Sequence, residues 1–455
     1  MEKFDTFRDH FLSLYQSAVS DVASQIESKA AVPARRGLQR SAVSALPEIA
    51  ASIAAREFAK QRNLAAPNAR PLPRELTRVE IGEVCAELAF RYLRACVTND
   101  AAELARVNDE FIAGTCDPAW AGTIKEYIRY FGLNGTRNKI PYIRAAAVGG
   151  KVIEIDSESK MAIAGDWGTG ADPAIQLLKQ IDSVSPDIFI HLGDIYYSGT
   201  PLECQKNFVE PISRVLRANG RNPKIYTLSG NHDMYCGGVG YYGLIKELNE
   251  ERFVQPASFF CLRTSDERWQ FLAMDTGLHD YSPANVGDAV TYLEPDELRW
   301  HCERIEEFPG KTVLLSHHQL FSAFSAIGPS NGGKRSALNP KLHEDFLKLN
   351  ASGKVSAWFW GHEHTLSIYE PFADLRRGRC VGHGAVPTSI VDTIYEPLAD
   401  LEGIPRIKDG TRLANVGGVY AHGFATIALE KEFCRAVYFQ DLGGRKDVLF
   451  EERFD

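Results

Sequence analysis

The chain has 455 residues, 44% of them hydrophobic and 24% charged, the balance of an ordinary soluble globular protein, and at about 100–200 residues per domain it is long enough for more than one. Its 51 Lys and Arg against 59 Asp and Glu leave a net charge of −8, which argues against a dedicated nucleic-acid or acidic-membrane binder. No stretch approaches the ~18 uninterrupted apolar residues of a membrane span, the charged start MEKFDTFRDHFLSLYQ lacks the apolar core of a signal peptide, and nine cysteines without a C-x-x-C suggest reduced thiols in a cytoplasmic protein.

The first elements read as helices. Phe4, Phe7, Phe11, Tyr15, Val19, Val22 and Ile26 recur at three- and four-residue steps, one stripe of an amphipathic helix. The run AAPNARPLP, Ala65 to Pro73, breaks it, because proline lacks the N–H and restricts its predecessor. Thr77 and Glu80 form a capping box ahead of Ile81, Val84, Leu88 and Tyr92. A later helix carries Trp120, Tyr127, Ile128 and Phe131 and ends near Gly132 and Gly135. An all-helical N-terminal domain is therefore expected over 1–137, able to dimerise, cover a cleft or recruit a partner.

From about Pro141 the pattern changes. KMAIAGDWG, PDIFIHLGD, KIYTLSGNHD, WQFLAMDTG, TVLLSHHQ and VSAWFWGHEH are short apolar runs ending in polar residues, with helical stretches such as PAIQLLKQI and PDELRWHCERIEEF between them. Strands alternating with helices imply an α/β sheet with covered faces, and ligands gather at the carboxyl ends of such strands. The closing YAHGFATIALEKEFCRAVYFQDLGGRKDVLF reads as antiparallel strands joined by Gly-rich turns. Of the 12 histidines only His10 precedes His191, so imidazole chemistry belongs to a second domain, 138–455.

The candidate ligands, in chain order, are Asp166, Asp194, Tyr197, Asn231, His317, His362 and His364. This oxygen and nitrogen set without thiolates suits first-row metals, and seven donors are too many for one tetrahedral ion but fit two sharing a carboxylate, for which Asp194 is the candidate. The motifs Asp166-Trp167-Gly168, Gly193-Asp194-Ile195-Tyr196-Tyr197, Gly230-Asn231-His232-Asp233, Leu314-Leu315-Ser316-His317 and Gly361-His362-Glu363-His364 resemble those of the calcineurin-like metallophosphoesterases, and within them the purple acid phosphatases. Only Leu314 departs, where the family has Val.

The resemblance implies a four-layer αββα sandwich. It also implies Asp166, Tyr197 and His364 on a first metal, Asn231, His317 and His362 on a second, and Asp194 between them. Iron(III) is expected on the first side and Fe2+, Mn2+ or Zn2+ on the second. Tyr196 is set aside for Tyr197 on the motif register and because adjacent strand residues face opposite ways. A metal-bound hydroxide would then hydrolyse phosphomonoesters or phosphodiesters. His232 would donate to the phosphoryl or leaving oxygen, with Asp233 orienting it and keeping it protonated. His318 is a further catalytic candidate, with His383, Lys334 and Arg335 as substitutes for the family's outer histidines. His191 should pack in the scaffold, while His279, His301 and His343 look exposed. The alternative is a metal-poor scaffold that keeps the fold without the chemistry.

Overall fold

The computed structural model describes residues 135–455 except 219, 283–288, 389, 391–393, 398–400 and 431–432, together with a few residues before 135. The predicted helices around Phe4 to Ile26 and Thr77 to Tyr92 lie outside the described residues. Of the last N-terminal helix, Tyr127 and Phe131 are buried and their rings lie 5.0 Å apart. Gly132 follows with φ +72°, the left-handed conformation that ends a helix and that glycine adopts without strain.

One compact unit spans Arg137–Tyr281 and Gly287–Asp455. Its two large sheets are built from β1 (Ile153–Ile155), β2 (Lys160–Ala164), β3 (Ile188–His191), β4 (Lys224–Thr227), β5 (Phe260–Thr264), β6 (Trp269–Ala273), β7 (Lys311–Leu315), β8 (Val355–Trp360), β9 (Leu366–Ile368), β10 (Gly378–Val381), β11 (Gly423–Leu429), β12 (Cys434–Asp441) and β13 (Lys446–Phe454). All six apolar runs expected as strands are among them. One sheet has the order β13-β12-β11-β2-β3-β4, the other β1-β5-β6-β7-β8-β10-β9. Parallel pairing joins β2, β3 and β4 in the first and β6, β7, β8 and β10 in the second, while β11, β12 and β13 form the expected antiparallel meander.

Strand alternation divides the side chains between two faces. Met161, Ile163, Ile190 and Tyr226 of the first sheet meet Phe271, Val313, Leu315 and Phe359 of the second in a core between the sheets. The opposite face of the first sheet, with Ala162, Phe189 and Ile225, is covered by Leu177, Leu178 and Ile181 of helix α1 (Asp172–Ser183) and Ile212 of α2 (Glu210–Val215). On the second, Leu272, Leu314 and Trp358 pack against Trp300 and Ile305 of α3 (Pro295–Glu307) and Leu342 and Phe346 of α4 (Pro340–Leu349). The result is the expected helix–sheet–sheet–helix stack. Arg379 on β10, 1% exposed, reaches across it to the Glu452 carboxylate on β13 through two hydrogen bonds of 2.6 and 2.7 Å.

Two expectations fail at the surface. His301 is fully buried on α3 and His279 is 4% exposed at its side chain, stacked on Tyr292 at 3.6 Å. The inner stripe of α3, Glu297, Trp300, His301, Arg304 and Ile305, includes the histidine because it lies one turn beyond Glu297. His343 is partly exposed. The Gly-rich stretch beyond the Asn231–Met234 turn winds into a short helix, Val239–Leu244.

Candidate metal centre

The parallel strands of the two sheets end at one place. Gly165 and Asp166 follow β2, Gly193 and Asp194 follow β3, and the Asn231–Met234 turn follows β4. His317 comes two residues after β7, and His362 and His364 follow β8. Close approach is permitted by glycine at the turns: a Cβ on Gly230 would stand 2.0 Å from Asp194 Oδ1, and one on Gly193, at φ +105°, 2.7 Å from His317 Nδ1. Asp166, Asp194, His362 and His364 themselves hold positive φ, between 47° and 75°. Side chains with a Cβ adopt this region at a cost that surrounding contacts must offset, and such residues concentrate at functional sites.

Each carboxylate is divided between scaffold and site. Asp166 Oδ2 accepts the His362 backbone N–H at 2.8 Å, and Asp194 Oδ1 accepts that of His232 at 3.0 Å. The other oxygens face a cluster of donors. On one side the Tyr196 hydroxyl lies 3.1 Å from Asp166 Oδ1, 3.3 Å from Asp194 Oδ2 and 2.9 Å from His364 Nε2, which is 3.4 Å from Asp166 Oδ1. On the other, Asn231 Oδ1 lies 3.1 Å from His317 Nε2 and 3.2 Å from His362 Nδ1, those two nitrogens are 3.2 Å apart, and His317 Nε2 is 3.4 Å from Asp194 Oδ2. Asp194 Oδ2 belongs to both sets.

These distances test whether metal ions fit. Ligands at about 2.0–2.2 Å from a first-row ion are separated by roughly 3.0 Å when octahedral and 3.4 Å when tetrahedral, the range observed in both sets. The second set makes the stronger case. His317 Nδ1 lies 2.9 Å from the Leu192 carbonyl, which can only accept, so in the neutral ring Nε2 carries a bare lone pair. Asn231 Nδ2 donates to the Tyr235 hydroxyl at 2.6 Å, which turns Oδ1 inward. Acceptors converging at this distance repel one another unless a cation lies between them. The electrostatics favour positive charge at this point, whether a proton or a metal ion carries it. Burial lowers the His317 pKa, but the Asp194 charge and hydrogen bond, and the Asp166 charge, outweigh it and push it up to about 9. Burial would raise the Asp194 carboxyl, yet His317, His232 and His362 hold it well below the usual carboxylate range. The carboxylates make this a pocket for positive charge.

The expected tyrosine is corrected. Tyr196, not Tyr197, brings its hydroxyl to Asp166, Asp194 and His364. The alternation argument fails because both residues lie in a turn beyond β3, not in the strand. Tyr197 is held by its backbone, its N–H donating to Glu203 at 2.7 Å and its carbonyl accepting from His232 Nδ1 at 2.7 Å. Asp233 is also corrected. Its Oδ2 accepts the N–H groups of Asp194 and Gly230 and its Oδ1 that of Ile195, at 2.8–3.2 Å, so it fastens the second motif to the third and does not orient His232. Burial keeps the His232 pKa low, against the Asp194 charge and the Tyr197 carbonyl, and its Nε2 faces Asp194 Oδ2 at 4.0 Å.

His318 does not present a free nitrogen. Its Nδ1 meets Thr276 Oγ1 at 3.0 Å and its Nε2 meets Asp280 Oδ2 at 3.2 Å, with the ring 4.5 Å from that of His362. His318 nevertheless groups with His317 and His362 as a cluster of close nitrogens, beside the group Asp166, Asp194 and His364. Of the substitutes, His383 faces the Phe439 carbonyl at 3.1 Å and Lys334 is exposed, paired with Glu402; Arg335 lies on the same short strand, Lys334–Ser336. His191 packs in the scaffold as expected, bonded to Thr227 at 3.0 Å. Tyr235, Thr276 and Asp280 were not legible as site residues, because none belongs to a motif.

Residues 159–366, a little under half the chain, match the family model described as calcineurin-like phosphoesterase. This stretch contains every donor named above. No curated protein matches the chain in sequence. Among solved structures, GAP50, the anchor in the inner membrane complex of Plasmodium, is 14% identical over 66% of this chain and 89% of its own, with a TM-score of 0.42. Vacuolar protein sorting 29 from Cryptosporidium parvum is 10% identical over 66% of this chain and 100% of its own, with a TM-score of 0.29. A conserved uncharacterised protein, a predicted phosphoesterase, from Streptococcus pneumoniae is 9% identical over 65% and 98%, with a TM-score of 0.26. Among the described residues no helix is long and apolar enough to cross a membrane.

Proposed function

We propose that the chain is a dimetal phosphoester hydrolase acting on phosphomonoesters or phosphodiesters. The observation that carries this reading is the pair of donor sets meeting at one oxygen, Asp194 Oδ2. Asp166, Tyr196 and His364 would hold one ion and Asn231, His317 and His362 the other. An anionic first set favours iron(III), while the neutral amide and imidazoles of the second suit Fe2+, Mn2+ or Zn2+. When bound, paired ions supply Lewis acidity to phosphoryl oxygens and lower the pKa of a bound water from 15.7 to about 7.

The chain's own residues do the rest. His362 and His364 are partly exposed while Asp166, Asp194, Asn231 and His317 are buried, so the ester arrives from the His362 and His364 side. His232, its Nδ1–H committed to the Tyr197 carbonyl, keeps Nε2 toward the shared carboxylate as a lone pair, where it can take up a proton and pass it to the leaving oxygen. His318, both nitrogens engaged, orients and does not exchange protons. Loading the purified protein with iron, manganese or zinc, counting metals per chain and assaying aryl monoesters, diesters and nucleotides tests the reading. Two ions per chain with hydrolysis of at least one ester class is the expected result; two ions with none overturns it.

A further inference from the structure

Asn231 is the one amide among the proposed ligands, and an amide can turn its N–H end to a cation. The two ends of an amide have the same shape, and its hydrogen-bond partners decide which faces inward. With Oδ1 inward, Asn231 offers a lone pair beside His317 Nε2 and His362 Nδ1, 3.1 and 3.2 Å away. Turned over, it would point an N–H at the same two nitrogens, satisfy itself there and repel a cation. What opposes the turn is the Tyr235 hydroxyl, which accepts from Nδ2 at 2.6 Å and is 1% exposed. By accepting, that hydroxyl leaves its own proton for another group. Asp280 is close enough to act electrostatically on Tyr235, and its buried Oδ1 has no partner among the described residues. The other Asp280 oxygen holds His318 against the His362 ring.

We propose that Tyr235 is a positioning residue that fixes the Asn231 amide and thereby sets the affinity of the Asn231, His317 and His362 side alone. This rests on the dimetal reading above. Tyr235→Phe keeps the ring that packs 4.8 Å from His232 and removes only the hydroxyl. Groups that orient a metal ligand are typically worth about 10–100-fold in metal affinity.

The test is a manganese(II) titration of the metal-free full chain, with bound metal read by equilibrium dialysis, in four proteins: the parent, Tyr235→Phe, Asn231→Asp and the double variant. A carboxylate at this position presents oxygen whichever way it turns. With Asn231 in place, Tyr235→Phe should therefore weaken one of the two sites about 10–100-fold and leave the other as in the parent. Added to Asn231→Asp, it should change neither site. Excess manganese should refill the weakened site. Equal losses in both backgrounds would make Tyr235 a packing residue only, and weakening of both sites, or of neither, would overturn the assignment as well. A parent that binds fewer than two ions overturns the dimetal reading itself, an outcome distinct from a two-ion parent matched by its Phe variant.

Discussion

Asp194 spends one oxygen on a backbone N–H and the other on both donor sets. Its replacement by alanine should empty both sides, where loss of a terminal ligand such as His364 empties one; elemental analysis showing two ions in Asp194→Ala would refute the shared position. His232→Ala should retain both ions and lower kcat by about 10²–10⁴, the range of a general acid or base, and an unchanged kcat or a loss of metal would remove it from the chemistry. Tyr196 and Tyr197 are separated by colour. In iron-loaded, oxidised protein a phenolate-to-iron band should vanish in Tyr196→Phe and persist in Tyr197→Phe, since the Tyr196 hydroxyl meets Asp166 and His364; the reverse pattern would restore the motif register. The carboxylates and imidazoles were legible in the sequence because each follows an apolar run and all but His317 keep a fixed offset from a glycine. Tyr196 was not, since a turn has no alternation to read, and Tyr235 was not, since a hydrogen bond to a ligand leaves no spacing.

At the scale of elements, the link between β10 and β13 has a measurable pH signature. Burial raises the Glu452 pKa, but the Arg379 hydrogen bonds and charge, with that of the Tyr438 hydroxyl, leave it below the usual value. A group depressed in the fold contributes stability above its unfolded pKa, about 4.3 for glutamate, and that contribution fades as pH falls below it. Glu452→Gln leaves Arg379 buried without its charge partner, and should cost about 3–5 kcal/mol near neutral pH with a smaller penalty in acid. Urea unfolding of both proteins at neutral and acidic pH checks this, and a pH-independent difference would show the ion pair to be immaterial. The strands themselves were legible, because runs buried on both faces, as in KMAIA and IFIH, are apolar without interruption. The burial of His301 was legible only once α3 was given a face.

For the whole molecule, buried neutral histidines set an acid limit. Burial drives His191 and His301 each down to about 3, whereas in the unfolded chain histidine titrates near 6.5. The unfolded state therefore binds protons first as pH drops, and stability complete above about 6.5 declines steadily toward 3. Unfolding free energies that stay flat across that window would show these rings to be protonated in the fold. The donor sets carry a mechanical consequence as well. Asp166, Asp194, Tyr196 and Asn231 hang from the ends of one sheet, and His317, His362 and His364 from the other, so each ion would rivet the two sheets together at their mouth. Ligand binding to the folded state alone adds about 2.7 kcal/mol of stability at a hundredfold excess over Kd. Stripping the ions with a chelator should then lower Tm and speed amide exchange first in the loops that follow β2, β3, β4, β7 and β8, parting the sandwich from the side where the ester enters.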